Sequence, residues 1–127
     1  MKRIAGIALI AVVALVVAGA FAGCGCQDQA AEQTTGKIDQ AKDAVSKVNL
    51  MTIKTGVQAY IASSSTVPAD ASQGTLGGFV NPWPSNPFTQ QPMVQGDGVG
   101  DYAYTPGAGA AFTLAVHLSD GTTYTAP

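Results

Sequence analysis

The stretch KIDQAKDAVSKVNLMTIKTGVQAYIA, Lys37 to Ala62, decides how the rest of the chain is read. Ile38, Ala41, Val45 and Val48 recur at intervals of three and four, and Leu50, Ile53, Val57, Tyr60 and Ile61 continue with a stripe shifted around the axis. That is the period of an α-helix buried along one side. Thr34, Thr35 and Gly36 stand where a cap is needed, and Asp39 and Asp43 fall in the early turns, where the helix dipole favours carboxylates. Lys42, Lys47 and Lys54 lie off the main stripe, and Ser63 to Ser65 with Val67-Pro68 stop the helix. The expectation is one long helix that buries its apolar side on a sheet. A helix that binds a partner is the second reading.

The C-terminal residues supply the sheet. Asp101 to Thr105 (DYAYT), Ala111 to Ser119 (AFTLAVHLS) and Thr122 to Ala126 (TTYTA) read as three short strands. Phe112, Leu114, Val116 and Leu118 alternate with Thr113, Ala115, His117 and Ser119, so one face is expected to be buried and the other wet. Asp120-Gly121 is a hairpin-turn dipeptide and Pro106-Gly107-Ala108-Gly109 a looser turn. The fold class expected is α+β: one long N-terminal helix packed on a small antiparallel sheet of three to four strands.

Between helix and sheet, Thr66 to Gly100 holds five of the seven prolines, with turn signals at Asn81-Pro82, Asn86-Pro87 and Gly96-Asp97-Gly98. A structureless connector of that length is unusual in a compact domain. Leu76, Phe79, Val80, Trp83, Phe88 and Met93 predict instead an ordered loop that packs its own side chains.

Ahead of the helix the composition changes. Met1 to Arg3 is a short cationic start, Ile4 to Val17 is apolar, and small residues dominate from Ala18 to Gly23, the three parts of an export signal. Phe21-Ala22-Gly23-Cys24 resembles the lipobox of bacterial lipoproteins, which implies lipidation at Cys24. An uncleaved transmembrane helix remains open, since Ile4 to Phe21 gives 18 mostly apolar residues, near the minimum for a span. Ordinary cleavage is the third reading. All three place the domain outside the cytoplasm, anchored at the bacterial cell envelope under the first two. Gly25 to Gly36, GCQDQAAEQTTG, has no apolar period and reads as a flexible tether. The expected organisation is therefore a signal or membrane segment over 1–23, a tether over 24–36 and a globular domain over 37–127.

Charge and cysteine usage narrow the partners. Removing Lys2 and Arg3 with the signal leaves four lysines against eight acids, a net of −4. Such a chain has no electrostatic footprint for nucleic acid. Cys24 and Cys26, the only cysteines, lie outside the expected domain, so no disulfide staples it.

A long helix, a glycine- and proline-rich connector and a three-stranded meander together resemble the globular domain of type IV pilins and of type II secretion pseudopilins. Tyr60 with Val67-Pro68, the block Trp83-Pro84-Ser85-Asn86-Pro87-Phe88-Thr89 with Gln91-Pro92-Met93, Gly100 to Tyr104, Phe112 to Leu114 and Leu118 to Gly121 carry the likeness, most nearly to pseudopilins of the major-subunit type. The resemblance implies a structural or accessory protein with partners in a secretion or pilus-like assembly. The chain departs from a prepilin at its front, where no acid lies between Met1 and Cys26, so a monomeric domain near the membrane is expected and not the stem of a filament.

Candidates for chemistry are few. His117, the one histidine, falls on the wet face of a strand, and Ser63 to Ser65 lack the elbow motif of a serine nucleophile. The expectation is a non-enzymatic protein. Asp97 and Asp101, spaced around Gly98 and Gly100, offer oxygens to calcium, and Ser119-Asp120 partly matches the calcium loop of major pseudopilins. Turn chemistry explains the same aspartates. Trp83 and Phe88 are either pins of the connector or a platform through which a surface lipoprotein binds a small ligand or carbohydrate.

Overall fold

The computed structural model describes residues 27–127, so the segment 1–23, Cys24 and Cys26 lie outside the described residues. By its contacts the chain divides into two units, Met1–Gly36 and Lys37–Pro127, and the connector, the sheet and the core all belong to the second. The long helix, α1, runs over Gln27–Ser64, from ten residues before Lys37 to two beyond Ala62. Part of the stretch read as a tether is thus helical. Gln, Ala and Glu are good helix formers, and helical propensity needs no apolar stripe to express itself. Among the described residues no helix is long and apolar enough to cross a membrane.

After α1 come a one-turn helix α2 (Gln73–Leu76) and three strands, β1 (Tyr102–Pro106), β2 (Phe112–His117) and β3 (Thr123–Thr125). The strands form an antiparallel meander in the order β1-β2-β3. Tyr102 stands opposite Val116, Tyr104 opposite Leu114, and Val116 opposite Tyr124, so one face collects the large side chains. The alternation in β2 emerges as expected: Leu114, Val116 and, just past the strand, Leu118 are buried, while Thr113 and Ser119 are exposed. Gly121 turns the second hairpin with φ 81°, and Asp120 braces it by accepting from the Thr122 backbone and hydroxyl.

One hydrophobic cluster joins Leu50, Ile53 and Val57 of α1 to Ala71, Leu76, Val80 and Met93 of the connector and to Tyr102, Leu114, Val116 and Leu118 of the sheet. The helix therefore buries only the second of its two apolar stripes. Ile38, Val45 and Val48 remain 50%, 47% and 65% exposed. The buried row is Ser46, Leu50, Ile53 and Val57, spaced four, three and four, and at 100° per residue Val45 and Val48 point away from it. With each full burial of such side chains worth about 1.5–3 kcal/mol, the row of Leu50, Ile53 and Val57, extended by the part-buried Tyr60 and Ile61, outweighs the other face.

Two local features set the connector against α1. Gly56 lies on the buried side, where a Cβ would overlap the Val80 side chain, so Val80 packs directly on the helix backbone. The helix ends where Ser65 turns to φ 60° and donates its N–H to the Ile61 carbonyl at 2.7 Å, with the Ser63 and Ser64 hydroxyls donating to the Tyr60 carbonyl.

Candidate functional site

Order in the connector begins at its exit from α1. The buried Tyr102 hydroxyl donates to the Ala71 carbonyl at 2.6 Å, and the Tyr104 hydroxyl donates to the Pro68 carbonyl at 2.7 Å. Burial, reinforced by the nearby Asp70 charge, pushes both phenols above their ordinary range. Asp70 accepts from the Ser72 N–H and the Thr75 hydroxyl, and Ser72 caps α2. Those bonds, led by Ser72 and followed by Thr75, hold the Asp70 carboxyl below the usual carboxylate value.

Farther on, Asn86 is the centre of the loop. It is 1% exposed, and its amide nitrogen donates to the Val99 carbonyl at 2.9 Å and to Oδ1 of Asp101 at 3.0 Å. Its amide oxygen accepts from the Phe88 N–H at 2.8 Å, and its backbone bonds Gln90 and Gln91. Asparagine supplies two donors and an acceptor in one plane, which here meet a carbonyl and a carboxylate of the segment 99–101 and an N–H of its own turn. Gly100, at φ 80°, passes so close that any Cβ would overlap that amide.

Trp83 is half-buried, and its indole N–H donates to the Met93 carbonyl at 2.9 Å, while the Met93 N–H donates to the Pro84 carbonyl. The side chain thus closes the segment 84–93 on itself. The same ring lines a groove of about 680 Å³ between α1 and the connector. Asn49, Thr52 and Thr55 form the helix wall, and Phe79 to Ser85 form the other, with no charged residue among them. Asn49 spans the two by donating from Nδ2 to the Ser85 carbonyl at 2.8 Å. Phe79 is 44% exposed and held edge-on by Tyr60, ring centres 5.9 Å apart. Phe88, the second residue of the expected platform, does not line this groove. It lies beneath the Lys42 ammonium, 5.2 Å from ring centre to Nζ.

The three aspartates named for calcium are engaged separately. Asp101 accepts from Asn86, and Asp97 is fully exposed with Oδ1 3.9 Å from Nε2 of His117, beyond hydrogen-bond reach. Asp120 is bound within its own turn, where the Thr122 hydroxyl, and then its N–H, hold the carboxyl below its ordinary value. Among the described residues no group of three or more His, Cys, Asp or Glu side chains is gathered to hold a metal ion. His117 is less wet than its alternation predicts: its side chain is 29% exposed, and Nε2 is shielded without a hydrogen-bond partner.

Several residues that organise this surface carry no local signal. Asp43 looks like a helix-dipole residue, yet it accepts from the Ser119 N–H at 2.9 Å and the Ser119 hydroxyl at 2.7 Å, tying α1 to the end of β2. Lys47 lies over the Tyr124 ring at 5.2 Å. Asn49, Thr52 and Thr55 read as neutral helix positions, and only the approach of the connector makes them a wall. Compared with models of known families, with curated proteins and with solved structures, the chain matches none.

Proposed function

We propose that the protein is a non-enzymatic component of the bacterial cell envelope, membrane-anchored at its N-terminus, whose pseudopilin-like α+β domain works through protein contacts as a structural or accessory part of a type II secretion or type IV pilus-like system. The observation that carries this reading is the second apolar face of α1. Ile38, Val45 and Val48, with Met51 at 38% exposure, present branched and apolar side chains to solvent on one helix. Large apolar groups clustered at a surface mark contact sites more often than accident. The helix–connector–meander order supports the pilin-like reading. The sequence Phe21 to Cys24 supports the anchor.

The test is co-purification from envelope membranes of the full chain and of Val48→Lys, a change at an exposed helix position that leaves the core untouched. The wild type is expected to bring down secretion or pilus subunits, and the variant to lose them with an unchanged melting temperature. Equal recovery by both, or recovery of no such subunit, overturns the reading. Labelling with a fatty-acid analogue, present in the wild type and absent in Cys24→Ala, tests the anchor separately.

A further inference from the structure

From the chemistry of the groove between α1 and the segment Phe79 to Ser85 we infer that the domain binds a neutral oligosaccharide there. Its volume of about 680 Å³ falls within the range of small-ligand sites, about 300–1,000 Å³. Its lining carries no charge, so nothing in it compensates a phosphate, a carboxylate or an ammonium group on a ligand. What remains is flat apolar surface, from Trp83, Phe79 and two prolines, alternating with amides and hydroxyls. A pyranose matches that mixture, with C–H groups on its faces and hydroxyls at its edge.

The free hydrogen-bonding capacity points the same way. The Trp83 N–H is committed to Met93, and one of the two Asn49 amide hydrogens to Ser85. The Thr52 and Thr55 hydroxyl protons are directed to the Val48 and Met51 carbonyls. The helix wall keeps acceptor lone pairs on the Asn49 amide oxygen and the two threonine hydroxyl oxygens, while the second Asn49 amide hydrogen, the Asn81 amide and the Ser85 hydroxyl supply donors. A ligand for this groove is best served by groups that both donate and accept, as its lining does. Sugar hydroxyls do both. A proline-rich peptide, which also suits an aromatic groove, presents mainly carbonyl acceptors and would use only the donors of this lining, with the indole N–H already taken, whereas sugar hydroxyls use its donors and its acceptors together. Trp83 and Phe79 are both held in place, by Met93 and by Tyr60, so little ordering cost falls on binding.

Trp83 is the chain's single tryptophan, so its emission reports on the groove alone. Chitotriose, cellotriose and maltotriose are titrated into the full-length protein while that emission is followed. At least one is expected to give a saturable change, and Thr52→Arg, which projects a long side chain into the groove from an exposed helix position, is expected to raise the half-saturation concentration by about tenfold or more. Gln58→Arg, exposed on the same helix outside the groove, is expected to leave it unchanged. Circular dichroism melts of both variants confirm that they fold. No saturable response to any of the three sugars, a response retained in Thr52→Arg, or a response only to a proline-rich peptide used as comparison would each overturn the inference. Retained sugar binding in Val48→Lys separates this site from the contact face.

Discussion

Ser46 sits in the buried row of α1 beside Leu50, fully covered and with its hydroxyl lacking a partner. A buried polar group left unpaired costs free energy that a methyl group does not, and alanine is the better helix former. Ser46→Ala is therefore expected to raise stability by about 1 kcal/mol, read as a higher urea midpoint at unchanged slope. Tyr102 shows the opposite balance, because its buried hydroxyl is bonded to Ala71. Tyr102→Phe is expected to cost about 1 kcal/mol near pH 7 by stranding that carbonyl. It also predicts a pH effect. The folded phenol ionises at higher pH than the unfolded one, so its contribution is complete below about pH 10 and is lost as pH rises above that. Wild-type stability should fall on that alkaline limb, and the Phe variant should fall less. For Asp70 the sign reverses. Its carboxyl is depressed in the folded state, so its contribution is complete above about pH 4 and is lost as the solution is made more acidic.

At the scale of the elements, α1 carries two apolar stripes, and the connector decides which is buried. Gly56 is the contact through which it does so. In an exposed helix a glycine-to-alanine change gains roughly 1 kcal/mol, but here the added methyl meets Val80. Gly56→Ala is expected to lower the unfolding midpoint despite its propensity, and Val80→Ala in the same chain to recover part of the loss. A double-mutant cycle in urea measures that coupling, and additive effects would show the contact to be slack. The strands were readable because their signal is local: Leu114, Val116 and Leu118 alternate with their neighbours, and the Asp120-Gly121 turn sits where the hairpin closes. The buried face of the helix was not. Val45 and Val48 look more like core than Ser46 does, and only the arrival of Val80 and Met93 on the far side settles the choice.

On the scale of the whole molecule, every buried member of the core cluster among the described residues lies between Leu50 and Leu118. A chain beginning at Lys37 is accordingly expected to unfold in one cooperative step, with fluorescence and circular dichroism transitions that coincide. Separate transitions would show that the residues before it share in the fold. The groove illustrates what no local pattern announces. Trp83 was recognisable as a pin or a platform, but Thr52 and Thr55 become a binding wall through a meeting of segments some 30 residues apart, and periodicity carries no record of such meetings. Asn86 belongs to the same class, since its partners Val99 and Asp101 lie 13 and 15 residues away.

That asparagine also bears on how such a loop can drift over time. The Asn86 amide occupies the space a side chain at position 100 would fill, and the φ of 80° there already favours glycine. Neither position can accept a larger neighbour while the other stays as it is. A side chain at position 100 is thus admitted only once the amide is gone and the turn is rebuilt, which makes the glycine a condition of the asparagine's place in the loop.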